Sequence, residues 1–214
     1  MLDSKIYFIA GVGTNIGKTF LVEKLCRNLS QSTAIKPIAS GFNDDDKNSD
    51  TAKILTALNL EISKKNLDDI SPWRFEEAVS PHFAAKNSAT KIDFTEVKNF
   101  CLQKISQAQK SKKFLFIEAA GGIMTPINEE KTFLDLVAEL KIPILLVTAN
   151  YLGAISHTLC AAEILKSRKL TIEKIIVNKE LPTLENQRYC IIETIKNFSS
   201  ITTISLSEFS TKLS

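Results

Sequence analysis

Glycine is scarce in this chain, with seven among 214 residues, and so are histidine, with two, and tryptophan, with one. His82 and His157 leave too few imidazoles for a zinc centre. The four cysteines, Cys26, Cys101, Cys160 and Cys190, lie far apart without a CxxC spacing, so buried reduced thiols are expected in place of a metal or redox pair. No run of eighteen apolar residues occurs, and the start MLDSK leads into a short strand-like run, not a signal-peptide core. A cytoplasmic location with no membrane partner is expected. Charge of one sign is lacking too. The 27 Lys and Arg against 24 Asp and Glu give +3, with the lysines scattered, which argues against a nucleic-acid partner.

What remains reads as an ordinary globular composition, long enough to bury one sizeable core, so residues 1–214 are expected to form a single domain. Short apolar runs at 5–10, 33–38, 114–117, 143–148, 174–177 and 201–204 read as strands. Helical patterns fill the intervals: one after Gly17, then 49–58, 94–110, 133–140, 155–165 and 184–198. Asp93 followed by Glu96 marks a capped helix start. Continuously apolar strands alternating with helices require a mainly parallel sheet covered on both faces, a three-layer α/β fold. Residues 59–90 are the least regular stretch and are expected over the site or at a subunit contact.

In a chain so sparing of glycine, each one marks a backbone constraint. Three of the seven fall in GVGTNIGKT, residues 11–19, between the first strand and the first helix. Its Gly-Lys-Thr end matches the phosphate loop, where backbone N–H groups and a helix N-terminus cradle phosphates and Lys18 reaches the outer ones. Thr19 would ligate Mg²⁺. Gly11 stands one residue further back than the common spacing, so the loop is a variant. The bland alternative is a turn with a solvated Lys18, but a cation on the first turn opposes the helix dipole unless an anion sits nearby.

In such sheets ligands bind beyond the carboxyl ends of the strands. Lys36, before Pro37, is held extended at the end of the second strand, with Ser40 and Gly41 following. Glu118 ends an apolar strand and runs into AAGG, residues 119–122. A carboxylate there needs a metal or a cation, so it is either a Mg²⁺ ligand or a salt-bridge partner of Lys18 or Lys36. Asp50 is a third metal candidate or a helix cap. Ser156 is a candidate substrate contact, and His157 is expected to satisfy local hydrogen bonds. Asn178, ending the next strand, is either a reader of adenine through its amide or a plain turn residue.

These motifs together resemble the dethiobiotin synthase family over about residues 7 to 189. GVGTNIGKT is similar to that family's variant loop, and IKPIASG (35–41) to its Lys-Pro-x-x-Ser-Gly motif. NSD (48–50), SPH (80–82), EAAGG (118–122), TP (125–126), YLGAISHT (151–158) and Asn178 follow in the family's order. The resemblance implies a P-loop fold and ATP-dependent closure of 7,8-diaminopelargonate with CO₂ into dethiobiotin, in biotin synthesis. It implies that Gly13, Thr14, Asn15, Ile16, Gly17, Lys18, Thr19 and Phe20 hold ATP together with Asp50, Glu118, Gly121 and Asn178. Thr19, Asp50 and Glu118 would hold Mg²⁺, with Lys36 and Lys18 as the catalytic pair. Substrate would meet Lys36, Ser40, Gly121, Gly122, Thr125, Ser156 and, across a homodimer boundary, Tyr189. Gly13, Ala119 and Ser156 depart from the Asp, Gly and Asn usual in the family.

The main rival is a partitioning or positioning ATPase, a switch on the same fold that binds protein, DNA or membrane. Its loop usually carries an extra lysine where this chain has Gly13, and its membrane types end in a basic amphipathic helix that residues 205–214 do not supply. An amide-forming ligase of cobalamin synthesis would need a glutaminase domain for which the chain has no room.

Overall fold

The run IYFIAG forms β1 (Ile6–Gly11), buried along its whole length, in the computed structural model, which describes residues 2, 5–43, 47–178 and 191–211. Full burial is what unbroken apolar strands demand, because helices must then cover both faces. β1 pairs in parallel with β5 (Phe114–Glu118) on one side and β6 (Ile144–Ala149) on the other. Beyond β5 lies β2 (Ser32–Ile35), and beyond β6 lie β7 (Ile172–Asn178) and β8 (Thr203–Ser205). The central strands β1 and β6 have no exposed residue, whereas the edge strands β2 and β8 are half covered.

The helices fall into two packed groups. α1 (Lys18–Asn28) meets α2 (Asp50–Ala57) and α9 (Leu206–Thr211), while α5 (Phe94–Ser111) meets α6 (Phe133–Leu140) and α7 (Ala154–Ser167) meets α8 (Ile191–Ser199). Right-handed crossovers explain the division. In the sheet order β2-β5-β1-β6-β7-β8, the step from β1 to β2 runs in the opposite direction to the later chain steps β2 to β5, β5 to β6, β6 to β7 and β7 to β8, so α1 takes the other face. That reversal leaves a crevice at the carboxyl ends of β1 and its neighbours.

The expected strand 33–38 is in fact two. β2 stops at Ile35, and β3 (Ile38–Ser40) joins β4 (Trp73–Phe75) in a separate parallel pair. Pro37 has no N–H to give a ladder, and Lys36 N donates to Ile70 O at 3.0 Å, outside the main sheet. The stretch 59–90 is more regular than its sequence indicates, holding α3 (Lys64–Ile70), β4 and α4 (Pro81–Asn87). Sequence reading also missed α9. Its six residues are too few to show a period, yet Leu206 and Phe209 are buried three apart, and Ser205 Oγ accepts from Glu208 N at 3.1 Å. Cys26 and Cys101 are buried thiols, pushed up to about 12 by desolvation, but Cys160 is exposed on α7, contrary to expectation. Cys190 and residues 184–190 of the expected helix lie outside the described residues.

Candidate active site

Five strand ends meet around one cavity of about 850 Å³, lined by the turn after β1, the 36–42 segment, the start of α2 and the turn after β5. The turn after β1 is shaped by two left-handed residues, Asn15 (φ 56°) and Gly17 (φ 96°), after which α1 starts at Lys18. A Cβ on Gly17 would collide with the Asn178 side chain, so only glycine fits there. Gly13 differs: a Cβ there meets nothing within 4 Å, so packing does not impose the departure from the family's Asp.

Lys18 folds back over its own loop, and its Nζ donates to Gly13 O at 2.8 Å. It is only 6% exposed. Burial drives its pKa down to about 8, Glu118 and Asp50 opposing that drop and Lys36 adding to it. An ammonium buried so incompletely paired is a group waiting for an anion.

Lys36 is buried, not the solvated lysine its Lys-rich sequence would allow. Its Nζ donates to Glu118 Oε1 at 2.8 Å and forms an ion pair with Asp50. Desolvation works to lower its pKa, yet the two carboxylates outweigh burial and hold it above the ordinary lysine value. Thr19 Oγ1 donates to the same Glu118 oxygen at 2.7 Å. Glu118, at the end of β5, is 1% exposed, and its other oxygen, Oε2, has no hydrogen-bond partner among the described residues. Asp50 is the first residue of α2, and Ser49 caps that helix, so the capping alternative for Asp50 falls away and its carboxylate is free to face Lys36. Burial pushes Asp50 up, but the charge and hydrogen bond of Lys36 pull it below the usual carboxylate range.

An orphaned carboxylate oxygen, a second carboxylate and a hydroxyl form a hard oxygen set of the kind Mg²⁺ takes with phosphates and water completing its shell. Among the described residues no group of three or more His, Cys, Asp or Glu gathers for a metal, and Mg²⁺ bound with a triphosphate does not need one.

Thr14, Asn15, Gly17, Phe20, Ser40, Gly121 and Thr125 line the same cavity, and Ser40 Oγ is buried without a partner among the described residues. The resemblance implied that Gly121 and Gly122 meet substrate, and Gly121 lines the cavity. Gly122 instead lies with its open side against Val12 and Gly13 backbone at 3.3–3.4 Å, and its N–H donates to Thr125 Oγ1 at 2.9 Å, bracing the loop. Gly13 and Ile16 line a smaller cavity of about 470 Å³ with Tyr151 and His157, whose side chains bond each other at 2.9 Å. Ser156 is exposed on the first turn of α7 and lines neither cavity. Asn178 is buried at the end of β7 and binds the loop, not a turn. Tyr189 lies outside the described residues.

Sequence reading passed over Phe42, Ala78 and Val79, which also line the larger cavity. The β3–β4 pair carries them in: Gly41 N donates to Glu77 O and Phe42 N to Phe75 O, both at 2.9 Å. No short motif advertises such a pairing of distant three-residue strands.

A profile of the AAA-domain family matches residues 5–207. ATP-dependent dethiobiotin synthetase BioD of Legionella pneumophila (strain Paris) is 40% identical over 174 residues, covering 81% of this chain and 80% of the relative. The enzyme of the same name from Phenylobacterium zucineum (strain HLK1) is 39% identical over 178 residues, 81% of this chain and 75% of its own. The chain belongs to the dethiobiotin synthetase family. Solved structures add the fold alone. MinD from Aquifex aeolicus superposes with a TM-score of 0.51 at 16% identity, over 98% of this chain and 86% of that one. A ParA family ATPase from Chlorobium tepidum TLS gives 0.52 at 13%, over 94% and 84%. The chain thus shares the architecture of these ATPases at low sequence identity. Among the described residues no helix is long and apolar enough to cross a membrane.

Proposed function

We propose that this member of the dethiobiotin synthetase family closes 7,8-diaminopelargonate with CO₂ into dethiobiotin at the 850 Å³ cavity, using ATP. One amine of the diamine adds to CO₂ and loses a proton, giving a carbamate. The carbamate oxygen takes the γ-phosphoryl group of ATP and releases ADP. The second amine attacks the activated carbon, phosphate leaves, and the ring is closed.

Lys18 and the N–H groups of residues 13–19 hold the triphosphate, an arrangement suited to a helix N-terminus. Thr19, Asp50 and Glu118 hold Mg²⁺, which neutralises charge on the phosphates. Lys36 faces the point where carbamate and γ-phosphate, both anionic, must approach, and its ammonium offsets their repulsion. Ser40 orients the carbamate through its otherwise unpartnered hydroxyl. None of these residues needs to form a covalent bond. Aligning carbamate, phosphate and free amine is a proximity effect worth on the order of 7 kcal/mol of barrier. Tyr189 serves substrate across the boundary of a cytoplasmic homodimer.

The observation that carries this reading is the convergence of Lys18, Thr19, Lys36 and Glu118 on one cavity, with Glu118 Oε2 and Ser40 Oγ buried and unpartnered among the described residues. ¹³C-bicarbonate supplied with the diamine, ATP and Mg²⁺ should appear as one labelled ureido carbonyl per ADP formed. ADP without labelled product would reject the assignment.

A further inference from the structure

Asn178 sits where a base-reading residue is expected, yet its side chain engages the phosphate loop. Its Nδ2 donates to Ile16 O at 3.3 Å, across 162 positions of sequence. The same amide fills the space where a Gly17 Cβ would stand. Ile16 lies between the two left-handed residues, Asn15 and Gly17, where the loop bends, and its side chain is buried. Other ties of the loop flank this peptide: Val12 N donates to Val147 O at 3.1 Å, Ile123 N to Gly11 O at 2.8 Å and Lys18 Nζ to Gly13 O at 2.8 Å, and Leu21 N donates to Gly17 O at 2.9 Å as the helix begins. Asn178 itself is 2% exposed at the last position of β7, paired with Ala149, so it is fixed by the sheet.

We infer that Asn178 is a positioning residue for the phosphate loop, holding the Ile16–Gly17 peptide in its anion-accepting bend independently of any contact with the nucleotide base. The inference rests on the nucleotide assignment above and extends it: β7 is the clamp that keeps the loop N–H groups pre-set for phosphate. A bend built from two left-handed residues has little intrinsic preference for that shape, and a donor fixed by the sheet supplies it.

Tripolyphosphate, which has no base, separates the two roles. Its Mg²⁺-dependent affinity and that of ATP are measured by calorimetry for the wild-type chain and Asn178→Ala, with melting temperature as the check on folding. If Ala lowers melting by more than a few degrees, Asn178→Ser, which keeps a small polar side chain too short to reach Ile16 O, is used instead. The expected result is a loss of about fivefold to tenfold in tripolyphosphate affinity, the worth of one neutral hydrogen bond, with an equal or larger loss for ATP. Unchanged tripolyphosphate affinity alongside weakened ATP would make Asn178 a base reader only and overturn the inference. A wild-type chain that binds neither ligand would refute the nucleotide assignment and this inference together.

Discussion

Single side chains decide the chemistry here, and the two buried lysines divide it. Lys36 is tied to Glu118 and Asp50, and Lys18 only to a carbonyl, so the first is set to remain charged and the second to titrate. Lys36→Met should lower ring-closure kcat by roughly 10²–10³-fold while calorimetry finds ATP affinity in the presence of Mg²⁺ little changed. Ring closure at the wild-type rate would refute its role. Lys18 in the free protein has its pKa near 8, below the ordinary 10.5. A bound triphosphate favours the charged form, so ATP affinity should be flat below pH 8 and weaken above it, by about tenfold per unit while Lys18 alone is titrating. Lys18→Met should bind ATP weakly with no such slope. The same shift makes the unfolded chain bind more protons between about 8 and 10.5, so this group's contribution to stability rises with pH across that window. Lys18, Thr19 and Glu118 were legible from sequence, because a cation on a helix's first turn and a carboxylate ending an apolar strand each demand a partner. The burial of Lys36 was not legible, since it depends on two carboxylates 14 and 82 positions away.

Secondary elements act by where they begin and end. α6 follows the Glu118–Thr132 turn and is started by a capping box: Thr132 Oγ1 accepts from Asp135 N, and Asp135 Oδ2 accepts from Thr132 N at 2.9 Å. Thr132→Ala should cost about 1 kcal/mol in urea unfolding. A loss within a few tenths would show that tertiary packing alone sets that terminus. The six main strands were readable from their continuous apolar runs, with boundaries shifted by a residue or two except at β2, which ends three residues early. The β3–β4 pair was not readable, because three-residue strands carry no period and their pairing joins positions 35 apart in the chain. α9 was hidden for the same reason of length.

For the molecule as a whole, the parallel sheet is a scaffold shared with proteins of other purpose, and the fold alone does not choose between a ring-closing ligase and a nucleotide switch. What would separate them, on the proposed function, is the cavity that carries Lys36 and Ser40 beside the phosphate loop, where a carbamate in place of water would accept the γ-phosphoryl group. The most direct measurement is ADP release with Mg²⁺ and ATP while diaminopelargonate and bicarbonate are withheld in turn. Turnover should require both and match dethiobiotin one for one. Steady hydrolysis with either omitted, raised by added DNA or lipid vesicles, would contradict the assignment and favour a switch.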